Sequence, residues 1–112
     1  MAKSLFKNYN YEFDKNEAKI ITTFCRQAIK QMVTDDRFTK DVKAFESVIE
    51  KVTTNPLSVK LVKDEKIRLT RQLEENIKFI KNKMDKSWFL PRWFYKSMYN
   101  QYNSLLIQHF RD

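Results

Sequence analysis

Not one of the 112 residues is glycine, and only Pro56 and Pro91 interrupt the chain. Ordinary proteins carry roughly 7% glycine. Hairpin turns, phosphate-cradling loops and dinucleotide fingerprints all draw on it, because it alone takes positive φ or admits close backbone approach at little cost. The chain is therefore expected to be built almost wholly from helices. Enzymes that reveal themselves through glycine-rich loops are excluded.

Four amphipathic stretches carry that expectation. Asp14 with Glu17 three residues on is close to a capping box, and Phe13 before it suits a staple against Ala18. Ala18, Ile21, Phe24, Cys25, Ala28, Ile29 and Met32 then fill one helical stripe, predicting a helix over 15–34 that ends at Asp35-Asp36. Phe38, Val42, Phe45, Ile49 and Val52 predict a second over 38–53, capped by Thr39 or Asp36. It stops before Pro56, since the residue preceding proline is pushed out of helical φ/ψ. Val59, Val62, Leu69, Leu73, Ile77, Ile80 and Met84 predict a long third helix over 58–86 with Ser58 as its cap. Lys66 is its one polar intruder, expected to snorkel to water. Pro91 suits a first helical turn. Behind it Phe94, Tyr95, Met98, Tyr102, Leu105, Leu106 and His109 predict a fourth helix over 91–110.

Short connections make antiparallel neighbours. The expected fold is all-α, an antiparallel up-and-down four-helix bundle over 14–112 in a single domain of 1–112. Its core should hold Ile21, Phe24, Cys25, Ala28, Phe45, Ile49, Leu73, Ile77, Ile80, Met98, Tyr102 and Leu105. Residues 1–13 form an aromatic N-terminal arm, because Tyr9, Tyr11 and Phe13 alternate with polar residues at the period of a strand. With no second strand expected, that arm either lies over the bundle or pairs across a dimer.

No catalytic or metal constellation emerges. His109 is the only histidine and Cys25 the only cysteine, which rules out a triad, a histidine cage and a disulfide framework. Cys25 sits mid-stripe and reads as a small buried hydrophobe. A carboxylate-bridged metal pair in a bundle needs Glu three residues before His, and Leu106 stands there. Asp64 with Arg68 and Glu74 with Lys78 have i, i+4 spacing and read as surface ion pairs. No enzyme activity, cofactor, metal or small-molecule substrate is expected. No apolar run approaches the roughly 20 residues of a membrane span. The start of the sequence has no apolar h-region, so no secretory signal is expected and the cytoplasm is the expected location.

Charge and aromatics mark the candidate surfaces. The net charge is +8. Residues 57–86 carry nine Lys/Arg against five Asp/Glu, and residues 87–112 carry three against one, so +6 of the total lies in the second half. Lys60, Arg68, Arg71, Lys78 and Lys86 are expected on the outer face of the third helix, interrupted by Asp64 and Glu75. They are the candidate nucleic-acid contacts, although such a footprint wants a stripe that acids do not break. Both tryptophans fall in Trp88-Phe89-Leu90-Pro91-Arg92-Trp93-Phe94-Tyr95-Lys96. Trp93 and Phe94 point about 100° apart on a helix, so Trp93 with Ile107 suits a second apolar patch on the outer side. Aromatics with arginine are what protein interfaces enrich. Trp88, Phe89, Arg92, Trp93, Lys96 and Ile107 are thus the candidate partner-binding residues.

In size, basic charge and four-helix plan the chain is similar to the bacteriocin immunity proteins of Gram-positive bacteria. No motif carries that likeness. It is one of architecture, which hosts many functions. The expected function is that of a small cytoplasmic interaction module binding a protein partner, or itself, through residues 88–99. Nucleic-acid binding stands second, and membrane-surface association or an immunity-like role third.

Overall fold

The computed structural model describes residues 9–86 and 92–110, with side chains over 9–83 and 96–110. The chain is mostly helical. Among the described residues there are four α-helices, α1 (Lys15–Met32), α2 (Thr39–Thr54), α3 (Lys63–Lys86) and α4 (Arg92–Leu105). A 3₁₀ turn, Asp36–Phe38, precedes α2, and α4 runs on into a π turn, Leu106–Phe110. By their internal contacts the residues group into two compact units, Met1–Leu69 and Thr70–Asp112.

In the first unit, α1 starts as its sequence predicts. The Asp14 carboxylate accepts from the Glu17 N–H at 2.7 Å, and the Glu17 carboxylate accepts from the Asp14 N–H at 3.0 Å. This reciprocal capping box satisfies two donors that a helix start otherwise leaves orphaned. Ile21, Phe24, Cys25, Ala28 and Met32 are buried, and α1 packs against α2. Each large side chain so buried is worth roughly 1.5–3 kcal/mol against leaving it in water.

The start of α2 differs from expectation. Neither Thr39 nor Asp36 caps it; the Thr39 hydroxyl instead donates back to the Asp36 carbonyl at 2.8 Å. Asp35 caps the 3₁₀ turn, accepting from the Arg37 N–H and guanidinium. The buried line of α2 is Ala44, Phe45, Val48 and Val52, whereas Phe38, Val42 and Ile49 are only half-buried. The buried face is therefore rotated from the predicted stripe toward the small Ala44, and with it toward Asp41 and Lys51.

The largest correction concerns residues 58–62. They are not helical. Val59–Leu61 is a strand, β2, pairing antiparallel with β1 (Tyr9–Tyr11) in the register Tyr9↔Leu61, Asn10↔Lys60 and Tyr11↔Val59. The Phe13 N–H donates to the Pro56 carbonyl at 2.8 Å and extends the link. Tyr11, Val59 and Leu61 face inward, Asn10 and Lys60 outward, which is the alternation of a half-buried ladder. Tyr11 and the fully buried Phe13 stack with ring centroids 5.4 Å apart. Residues 9–11 are thus a strand paired within the chain rather than an arm laid over a bundle, and Phe13 is core. Ser58 does not cap a helix either; its N–H closes a turn on the Asn55 carbonyl at 3.1 Å.

Glu65 fixes where α3 begins. Val62 is 45% exposed, against the predicted stripe, and its carbonyl accepts the first helical bond from the Lys66 N–H. Its own N–H is accepted by Glu65 Oε1 at 2.9 Å, the returning half of a capping box. Glu65 is only 6% exposed, and the same Oε1 accepts from Lys51 Nζ at 2.6 Å. Burial pushes its carboxyl up, but hydrogen bonds from Lys51, Ser47 and the Val62 N–H outweigh burial and hold it below its ordinary value. Lys66 does not snorkel to water as expected. It is 8% exposed, and its ammonium lies 4.6 Å from the centroid of the Tyr9 ring that the ladder brings there.

In the second unit Leu73, Ile80, Leu105, Leu106 and Phe110 are buried. Ile77, Met98 and Tyr102, expected in the core, are half-buried. On a regular α-helix Leu106 and Phe110 would point about 100° and 140° away from Leu105. The wider π turn re-phases the chain end so that all three go inward.

Candidate binding groove

Two helical stripes meet in the second unit and leave an open groove of about 420 Å³ between them. α3 supplies Glu74, Ile77, Lys78 and Lys81, spaced i, i+3, i+4 and i+7. α4 with its π turn supplies Tyr99, Asn103, Leu106 and Ile107, spaced i, i+4, i+7 and i+8. Residues at these spacings share one face of a helix, so each wall is a stripe about two turns long. Leu106 is buried at the floor and Ile77, Tyr99 and Asn103 are half-buried. Ile107 is 52% exposed, and Glu74, Lys78 and Lys81 stand at the rim.

The rim charges are unspent. The ion pair expected between Glu74 and Lys78 is not formed among the described residues, and Lys81 makes none there. The groove therefore combines an apolar floor, a phenol, an amide, one carboxylate and two ammonium groups. Nothing in it pairs a nucleophile with a base, and among the described residues no three His, Cys, Asp or Glu gather as a metal site would require. Its chemistry is that of contact.

The candidate nucleic-acid residues are dispersed. Lys60 lies on β2 rather than on α3, beside a second depression of about 400 Å³ that it shares with Ser47, Glu50, Lys51, Thr54, Asn55 and Ser58. Arg68 is committed twice, its Nε to Asp64 at 3.0 Å as predicted and its Nη1 to Asp41 at 2.8 Å. Arg71 is exposed and Lys78 is in the groove. The Lys86 side chain lies outside the described residues. Among the described residues no continuous basic stripe forms on α3.

Of the candidate partner-binding residues, Ile107 lines the groove and Lys96 is exposed on α4. Trp88 and Phe89 lie outside the described residues, as do the side chains of Arg92 and Trp93. His109 is half-buried in the π turn, its ring edge-on to Phe110 at 6.3 Å. Cys25 is wholly buried, and desolvation pushes its thiol up to about 12 despite nearby Arg26.

Reading the sequence misses Glu74, Lys81, Tyr99 and Asn103 as groove residues. Glu74 reads as one half of a surface ion pair, although its i, i+3, i+7 spacing with Ile77 and Lys81 is a mixed polar and apolar stripe that an ordinary solvated face lacks. No described helix is long and apolar enough to cross a membrane. Compared with protein-family models, with curated proteins and with solved structures, the chain matches none.

Proposed function

We propose that this chain is a non-enzymatic cytoplasmic module that acts by binding a protein surface. The contact is the α3–α4 groove, which Tyr99 lines, together with the aromatic-rich residues 88–99. The observation that carries this reading is the exposed Ile107 beside half-buried Ile77 and Tyr99, flanked by lysines with no ion-pair partner among the described residues. Interfaces are built this way, from apolar and aromatic anchors ringed by polar groups. Cys25, the one thiol, is buried and held as the neutral thiol, and the groove holds no catalytic pair, which supports a binding role over an enzymatic one.

A nucleic-acid backbone is the second reading, favoured by Lys78 and Lys81 standing open on one stripe. Glu74 on the same stripe and the double commitment of Arg68 count against it.

Trp93→Ala separates the two. Loss of a desolvated aromatic anchor typically costs about 2 kcal/mol or more of binding. The variant should lose self-association and capture of a partner from the native host while keeping its far-UV circular dichroism. Fluorescence anisotropy with labelled duplex DNA and single-stranded RNA provides the other arm. Nucleic-acid binding that falls steeply between about 50 and 200 mM salt, unaffected by Trp93→Ala and uniformly reduced by charge reversal at Lys78 and Lys86, would establish the second reading. Unfolding by Trp93→Ala would show that the tryptophan is core and would remove it from the interface.

A further inference from the structure

We propose that the occupant of the groove is a second copy of this chain, docked about a two-fold axis that sets α3 antiparallel to α3. The inference rests on the protein-binding reading above and names its partner. Its basis is a symmetry in the stripe. A two-fold interface is self-complementary, residue i of one copy meeting j of the other and j meeting i. An antiparallel pairing centred between Ile77 and Lys78 sets Glu74 opposite Lys81 of the second copy, twice. It also sets Ile77 against the aliphatic stem of Lys78, twice. The carboxylate is at one end of the stripe and the outer ammonium at the other, about 10 Å apart at 1.5 Å per residue.

The facing wall obeys the same rule. Tyr99 and Ile107 lie four residues to either side of Asn103. Reversal about Asn103 sets Tyr99 against Ile107 of the second copy and brings the two Asn103 amides together. A carboxamide has both donors and acceptors and can bond to its own image. The proposed axis runs perpendicular to both stripes, and long side chains fill the hollow between the copies.

Among the described residues Glu74 forms no ion pair, so its carboxylate is open to Lys81 of the second copy. Its i, i+4 neighbour Lys78 likewise forms no ion pair among the described residues. Charge on the whole molecule opposes the dimer, since each copy carries +8. That long-range repulsion is screened beyond about 8 Å at physiological ionic strength, whereas the contact pairs are closer than that. Stripes of two turns make a small contact, in the class below about 1,200 Å² that gives weak, reversible association.

Sedimentation equilibrium of the full chain between roughly 10 μM and 1 mM, a range bracketing weak affinities, tests this directly. The expected result is a concentration-dependent dimer. Glu74→Lys and Lys81→Glu should each weaken it by roughly tenfold, since each replaces two attractive pairs with two repulsive ones. The two substitutions change the net charge in opposite directions, so weakening by both assigns the effect to local pairing rather than to overall repulsion. The double variant Glu74→Lys, Lys81→Glu restores the pairs in reverse and should restore the dimer.

A chain that sediments as a monomer throughout overturns the proposal. So does a dimer that Lys81→Glu strengthens, or one that the double exchange fails to rescue. Both positions are exposed, so circular dichroism should be unchanged; if a reversal does unfold the chain, Glu74→Gln and Lys81→Gln replace it with the same direction expected. A monomer that still loses a host partner on Trp93→Ala keeps the protein-binding reading and removes only the second copy. A monomer that binds only nucleic acid, steeply with salt, removes both.

Discussion

Two threonines with similar settings meet opposite fates. The Thr22 hydroxyl, buried in α1, donates to the Ala18 carbonyl at 3.0 Å, the usual back-bond of a helical threonine. The Thr70 hydroxyl oxygen, on α3, is cut off from solvent and has no hydrogen-bond partner among the described residues. An unsatisfied buried hydroxyl costs about 1–3 kcal/mol, and an apolar group of the same shape removes that cost. Thr70→Val keeps the branched shape and helix propensity, so it should raise stability by about 1 kcal/mol. Thr22→Val should be neutral or destabilising. Urea midpoints of both variants check the pair, and a lowered midpoint for Thr70→Val would refute the argument. Cys25 offers a second residue-scale check. With its thiol pushed up to about 12 and no exposed surface, it carries almost no thiolate at neutral pH. Iodoacetamide at pH 7 should leave it unmodified in the native protein and modify it fully in urea. Its place in the core was legible from its position in the α1 stripe alone.

At the scale of elements, the junction from β2 to α3 hangs on the Glu65 carboxylate. It accepts from the Val62 N–H and from Lys51, and its folded-state carboxyl is held below the ordinary value of 4.5. A carboxyl lowered on folding contributes stability above its unfolded value and loses it as pH falls through the folded one. Glu65→Gln should cost about 1–3 kcal/mol at pH 7, the range for a lost bond to a buried charged group. The share due to Lys51 is at the low end because that ammonium is partly solvated. The variant should also show a shallower loss of stability below pH 4.5 than the native chain, measured by urea titrations at several pH values. This junction explains what sequence left illegible. The capping box of α1 could be read because all its parts lie within four residues. The stretch Val59–Leu61 fits a helical stripe as well as a three-residue strand, and only Tyr9–Tyr11, some fifty residues earlier, decides between them. Lys66 follows the same logic: its burial makes sense only once the ladder has delivered Tyr9 to its ammonium.

For the whole molecule, charge and ion pairing are distributed differently between the two units. Thr70–Asp112 carries eight Lys/Arg against four Asp/Glu, and Met1–Leu69 carries fourteen against ten. Each unit thus has a net charge of +4, but the second spreads it over far fewer residues. The ion pairs described above, Arg37–Asp35, Lys51–Glu65, Arg68–Asp41 and Arg68–Asp64, all lie in the first unit. The groove was hard to see in the sequence for a related reason: i, i+4 spacing was satisfied at Asp64–Arg68 and not at Glu74–Lys78, and spacing alone does not distinguish them. Added salt should act unequally on the two units. In the second it screens like-charge repulsion and should stabilise; in the first it also weakens attractive pairs, so the gain should be smaller or absent. Both tryptophans, Trp88 and Trp93, belong to the second unit, so tryptophan fluorescence reports there while far-UV circular dichroism reports on helices of both. Between about 10 mM and 0.3 M sodium chloride, where the Debye length falls from about 30 Å to well under 10 Å, the fluorescence-detected urea midpoint should rise. The gain should be on the order of 1 kcal/mol and should exceed that seen by circular dichroism. Sodium sulfate at matched ionic strength is a poor substitute, because it strengthens apolar burial everywhere. Equal shifts by the two probes in sodium chloride would show that repulsion is shared by the whole chain rather than concentrated in Thr70–Asp112.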